Sequence, residues 1–149
     1  MIRLALGIPI VIPHVIIDGP LGTRGIDMIL DTGATYTSVS WSVPLDIGYD
    51  PAVSPRRIST ITANGVIELP LITVDAVQVE GLRSKKIHVT CQDIPELAGV
   101  EGLLGLSFLK HFRTVIDYKS GFGVEREPKL KKRFHKLSGQ LLQLSRGKI

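Results

Sequence analysis

Thiol chemistry is almost missing from this chain: one cysteine, Cys91, stands among 149 residues. A lone cysteine excludes an intramolecular disulfide framework, so a cytoplasmic setting is the default expectation. Metal ligands are equally sparse. His14, His88, His111 and His135 show no zinc-ligand spacing, and neither a metal nor a cofactor is expected. Long hydrophobic runs are also lacking. The most apolar stretch, Met1 to Pro13, is interrupted by Gly7, Pro9 and Pro13. It falls short of the roughly 20 residues that span a bilayer and has no clear small-x-small cleavage site, so it reads as neither a membrane segment nor a signal peptide.

What is present points to one compact unit rich in turns. Hydrophobic residues make up 44% of the chain, with 15 Gly and 9 Pro, a composition that suits a single domain with a sizeable core. Charge divides it unevenly. Residues 125–149 hold 8 Lys or Arg and 2 Glu, a net of +6, which leaves −2 for residues 1–124 out of the whole-chain +4. Two segments are therefore expected: a domain over 1–124 and a basic tail over 125–149. Leu130, Phe134, Leu137 and Leu141 fall on one stripe of a helix, with Lys129, Lys131, Lys132, Arg133 and Lys136 around them. Such a tail helix can touch nucleic acid or an anionic membrane surface. A solvated appendage whose stripe packs on the body is the favoured reading, because Gly139 weakens the helix and no nucleic-acid motif accompanies it.

The chemistry concentrates in two short segments. Met28-Ile29-Leu30-Asp31-Thr32-Gly33-Ala34-Thr35 places a carboxylate at the end of an apolar run, followed by a hydroxyl and a residue without Cβ. That order suits a tight loop where backbone approaches substrate closely. It also suits an ordinary strand-ending turn, and the triplet alone does not separate the two. About 70 residues on, Gly102-Leu103-Leu104-Gly105 leads into helical spacing at Leu106, Leu109, Lys110 and Arg113.

Together the two motifs, over about residues 14 to 124, resemble the retropepsin-like aspartic proteases. The resemblance implies an all-β, single-lobe acid protease barrel with one short helix after the Gly-Leu-Leu-Gly strand. It makes Asp31 the catalytic residue, supported by Thr32, Gly33, Ala34 and Thr35. In that family the later strand threads between the arms of the earlier loop. Gly102 and Gly105 would then permit the crossing, and Leu103 and Leu104 would lie in the core beneath Asp31. A single lobe supplies one carboxylate, whereas peptide hydrolysis by this chemistry needs two that share a proton. An isologous homodimer acting on extended polypeptide is the expected form, and the apolar N-terminal stretch can supply an edge or interface strand to it. The alternative is a non-catalytic dimeric module of the same fold that binds peptide or serves in assembly.

Further readings complete the expectation. Residues 14–30 suggest a hairpin leading into the Asp31 loop. Residues 58–69 suggest a second hairpin around Asn64-Gly65, the strongest short-range turn signal present; by resemblance it is the flap, with Ala63, Asn64 and Gly65 near bound peptide. Strands at 72–79 and 86–91 are expected to form a second sheet layer. A helix near 106–112 and a closing hairpin around Ser120-Gly121 follow; Asp117 is a second acidic candidate, but without an Asp-Thr-Gly context it is read as a surface or turn-capping carboxylate. The charged pair that supports retroviral dimers is replaced by Thr35 to Thr37 and Gly105-Leu106, and the Gly-Leu-Leu-Gly-Leu form looks closer to cellular and bacterial members. Ala34 offers no hydroxyl to the carboxylate, so a working pH between mildly acidic and neutral is expected. By resemblance, Val, Ile and Leu line the cleft, and apolar substrate side chains follow.

Overall fold

Alternating apolar residues and short polar turns fold this chain into strands that close on themselves. The computed structural model describes residues 9–95 and 99–126. The tail helix and the first eight residues of the apolar N-terminal stretch lie outside the described residues. Strand β1 (Val11–Gly19) and strand β2 (Gly22–Leu30) form the first hairpin, with Gly19 opposite Gly22 across Pro20-Leu21. Ile12, Val15, Ile17, Ile26 and Met28 point inward from the pair. A bulge between Ile12 and Val15 accommodates Pro13, which has no N–H to give to the ladder, and puts His14 at φ 54°. The His14 N–H, freed from the strand pairing, donates to Asp27 Oδ1 at 3.0 Å.

Strand β3 (Thr37–Val39) follows the Asp31 loop, then helix α1 (Ser42–Asp46) and a 3-10 turn at Pro51–Val53. Strands β4 (Arg57–Thr62) and β5 (Gly65–Val79) make the second hairpin. Its turn differs from the Asn64-Gly65 expectation by one residue. Thr62 pairs with Gly65 and the turn residues are Ala63 and Asn64. Thr62 Oγ1 accepts from Asn64 N at 3.2 Å and donates to Gly65 O at 2.9 Å, while the positive φ of 112° falls on Gly65 just past the turn. A glycine there tolerates the backbone that Asn64 does not need to adopt.

Strand β6 (Leu82–Cys91) pairs with β5 through a two-residue turn in which Glu80 and Gly81 both have positive φ, the geometry that matches strand twist. Strand β7 (Gly102–Leu104), helix α2 (Leu106–Leu109) and the hairpin β8 (Arg113–Asp117) with β9 (Gly121–Glu125) complete the described chain. Helix α2 ends at Leu109 rather than near Phe112, and α1 is a second short helix beyond the one expected.

The sheet order is β1-β2-β7-β3-β6-β5-β4, and β1 also pairs with β5 through Ile16 to Asp18. This closes six strands into a barrel and leaves β4 with the outer half of β5 as a projecting hairpin. Strands β5 and β6 thus belong to the same closed sheet and not to a second layer. The interior is filled by Val74, Val77, Ile87, Val89, Leu104 and Phe108, joined from the β8–β9 ribbon by Phe122 and Val124. Among the described residues no helix is long and apolar enough to cross a membrane.

Candidate active site

Asp31 stands where β2 runs out of partners. Strand β7 lies between β2 and β3, parallel to the first (Leu30 opposite Leu104) and antiparallel to the second (Ser38 opposite Leu103). Asp31 N donates to Leu104 O at 3.0 Å, so the last ladder bond of the β2–β7 pair positions the residue's backbone. Its side chain then turns back on the loop: Oδ1 accepts from Gly33 N at 3.0 Å, and the Asp31 carbonyl accepts from Ala34 N at 3.3 Å. Asp31 and Ala34 are half-buried, whereas Thr32, Gly33 and Thr35 are exposed.

The crossing is tight enough to demand glycine at both ends of β7. A Cβ on Gly102 would lie 2.5 Å from Met28 Cε and 2.8 Å from Ser38 O; one on Gly105 would lie 2.6 Å from Tyr36 O and 2.8 Å from Ala34 O. Between them, Leu104 is fully buried, but Leu103 does not join it in the core. Successive strand residues face opposite ways, so Leu103 turns to the cleft instead.

Two hydroxyl residues, Thr37 and Ser107, lock the loop from behind. Thr37 N donates to Ser107 Oγ at 2.8 Å, and Gly105 N donates to Thr37 Oγ1 at 3.1 Å. Leu106 N adds a bond to Ala34 O at 2.8 Å. Thr37 and Ser107 are buried, so the two bonds they make are shielded from water. No sequence signal singles these residues out, because a Thr and a Ser 70 positions apart look like surface residues until the crossing brings them together.

The loop opens on a cleft of about 490 Å³. It is lined by Asp31, Gly33, Ala34, Thr35, Tyr36 and Ser38 from the loop and β3, by Thr90 and Gln92 from the end of β6, by Leu103, and by Ile58 to Thr62 and Leu69 from the projecting hairpin. The hairpin's shank forms the wall; Ala63, Asn64 and Gly65 at its tip are exposed and lie outside the lining. Thr32, Gly102, Leu104 and Gly105 are likewise not part of the lining. Nor is the surface chiefly aliphatic. Thr35, Ser38, Ser59, Thr60, Thr62 and Thr90 put hydroxyls around it, and Asp31 is the one charged residue among the described lining residues.

Asp117 lies apart from the cleft, at the β8–β9 turn. Its Oδ2 accepts from Ser120 Oγ at 2.5 Å and Oδ1 from Lys119 N and Ser120 N at 2.9 and 3.2 Å. These bonds, the Ser120 hydroxyl first, hold its carboxyl below the usual carboxylate range. It is a turn cap.

A closed six-strand barrel with a crossed loop, one cleft-facing aspartate and a projecting hairpin defines the single-lobe retropepsin-like class. Residues 17–111 match the family model described as gag-polyprotein putative aspartyl protease, and the chain belongs to this retropepsin-like family. Among solved structures it is similar to a retropepsin-like aspartic protease from Rickettsia conorii, with 23% identity and a TM-score of 0.53 over 77% of this chain and 95% of that one. No curated protein sequence matches it.

Proposed function

We propose that the chain is an aspartic endopeptidase that hydrolyses extended polypeptide as a homodimer. The observation that carries this reading is Asp31: a carboxylate held by its own loop, facing a cleft whose described lining residues offer no second acid, base or nucleophilic pair of comparable reach. One carboxylate cannot both deprotonate water and protonate the substrate carbonyl. Two brought together share a single proton, because like charges about 3 Å apart cannot both ionise, and the pair then divides these tasks. A two-fold contact between identical chains supplies the second carboxylate without any further residue.

The remaining parts follow from that assembly. Thr32, exposed beside the carboxylate in the single chain, is the residue that meets the partner loop and keeps the two carboxylates coplanar. The β4–β5 hairpin closes over the bound strand and brings Ala63, Asn64 and Gly65 down onto it. Residues 1–124 form the proteolytic domain and residues 125–149 an appended basic tail.

Incubating an unbiased peptide library with the wild-type protein and with Asp31→Asn tests the reading. The wild type cleaves, Asp31→Asn does not, and a statine-type transition-state mimic blocks cleavage. Sedimentation at the assay concentrations should show that activity follows the dimer. Full activity from a strict monomer refutes the mechanism. Peptide retention without cleavage by either protein replaces it with the non-catalytic binding module.

A further inference from the structure

The floor of the cleft carries a hydrogen-bond donor that the fold leaves uncommitted. Ser38 on β3 lies opposite Thr90 on β6 in the parallel register and opposite Leu103 on β7 in the antiparallel one, so all three present the same face. That face lines the cleft, while the alternate residue Val39 points into the core. Ser38 Oγ and Thr90 Oγ1 lie 2.8 Å apart, and their residues are only 6% and 2% exposed. Two hydroxyls carry two O–H hydrogens, and one bond between them uses one. The other has no acceptor among the described residues.

We propose that this Ser38–Thr90 pair is a specificity site that selects substrate side chains that are short, uncharged and able to accept a hydrogen bond: Asn, Gln, Ser or Thr. The proposal rests on the peptidase reading above, and it names the substrate class that the same cleft takes. A carbonyl or hydroxyl oxygen seated on the floor satisfies the spare O–H, while Ile58 and Leu69, in the same lining, cover the carbon part of the side chain. An aliphatic side chain in that place displaces water and leaves a buried donor unpaired, which disfavours it by about tenfold or more. Among the described lining residues a charged side chain finds no counter-charge except Asp31 itself, already committed to catalysis. In a two-fold dimer the same floor recurs on both sides of the cut bond, so the preference should appear at two symmetrically placed substrate positions.

The test is a position-resolved cleavage profile of a peptide library with wild type, Ser38→Ala, Thr90→Val, the double variant and Thr90→Ser. Binding of the same library to Asp31→Asn is read in parallel. Wild type should favour Asn, Gln, Ser and Thr at one position on each side of the cut. The double variant should shift that position toward Val and Leu by about tenfold, and Thr90→Ser, which keeps the hydroxyl, should retain the wild-type profile. Thermal melts verify that each variant is folded; Ser38→Ala and Thr90→Val each leave one O–H without an acceptor and should keep the polar preference, so the double variant carries the comparison, with Ser38→Val in place of Ser38→Ala if the latter is not folded. Efficient cleavage with an aliphatic preference that the variants leave unchanged overturns the specificity site but leaves the peptidase intact. Selective retention of polar peptides by Asp31→Asn without cleavage by wild type keeps the site and removes the peptidase. An unselective profile in both readouts overturns the proposal.

Discussion

Replacing Gly105 by alanine is the sharpest probe of the crossing that holds the Asp31 loop. The added methyl would lie 2.6 Å from Tyr36 O and 2.8 Å from Ala34 O, so these backbone carbonyls must retreat by about 0.4 and 0.2 Å to reach even a 3.0 Å separation. Ala34 O is the acceptor for Leu106 N at 2.8 Å, and Gly105 N itself donates to Thr37 Oγ1, so the retreat stretches bonds that tie the loop to β7 and α2. Overpacking of this kind costs about 1–3 kcal/mol, a weakened buried hydrogen bond adds about 1, and the entropy lost by the unfolded chain on gaining a Cβ returns about 0.4–1. A net loss of about 1–3.5 kcal/mol is expected, a drop of about 0.5–2 M in the urea midpoint for a domain of this size. The unfolding is followed by fluorescence of Trp41, the only tryptophan. Peptide cleavage should fall further than stability alone requires, because the displaced segment carries Asp31. Gly25→Ala is the control: nothing lies within 4 Å of its Cβ position, and it should be neutral or slightly stabilising. If Gly105→Ala unfolds at the wild-type midpoint with unchanged cleavage, the steric account of the crossing is wrong.

Other outcomes can be checked in the same preparations. Burial pushes the Cys91 thiol up to about 12, so it should resist thiol reagents in the native state and react at once in denaturant. Burial, reinforced by the bond to Asp75, pushes Tyr49 to about 12 as well. For both groups the folded state holds its proton over a range where the unfolded chain releases it. Their contribution is therefore complete below pH 8 to 9 and lost as pH rises toward 12, with Cys91 acting from about pH 9 at no more than about 1.4 kcal/mol per pH unit and Tyr49 from about pH 10 at less, because solvent screens its partly exposed ring hydroxyl. Urea midpoints at a series of alkaline pH values, with Cys91→Ala as the comparison, read this directly; a flat profile contradicts it. Tyr49→Phe removes a hydroxyl that donates to Asp75 Oδ1 at 2.8 Å and accepts from Asp75 N at 2.9 Å. It should cost about 1–2 kcal/mol in the same unfolding assay, and no change would mean that water replaces the tyrosine.

Features whose physics is local can be read from the residues alone. The hairpins at Gly19–Gly22, Thr62–Gly65 and Asp117–Gly121 were legible because glycine, proline, asparagine and aspartate restrict the backbone within a few residues. The two motifs were legible because a carboxylate and two glycine-flanked leucines stand in a recognisable order. Even so, Asn64-Gly65 misled by one place, since Thr62 could cap a turn that needs positive φ only at Gly65. The remaining features depend on contacts between distant parts of the chain. Which of Leu103 and Leu104 faces the cleft depends on the register of β7 against two strands at once. The closure of β1 on β5, the lock between Thr37 and Ser107, and the pairing of Ser38 with Thr90 join residues 52 to 70 positions apart in the chain. No periodicity or turn preference encodes such meetings: they arise when a barrel closes and its pleat assigns each side chain to the core or to the cleft.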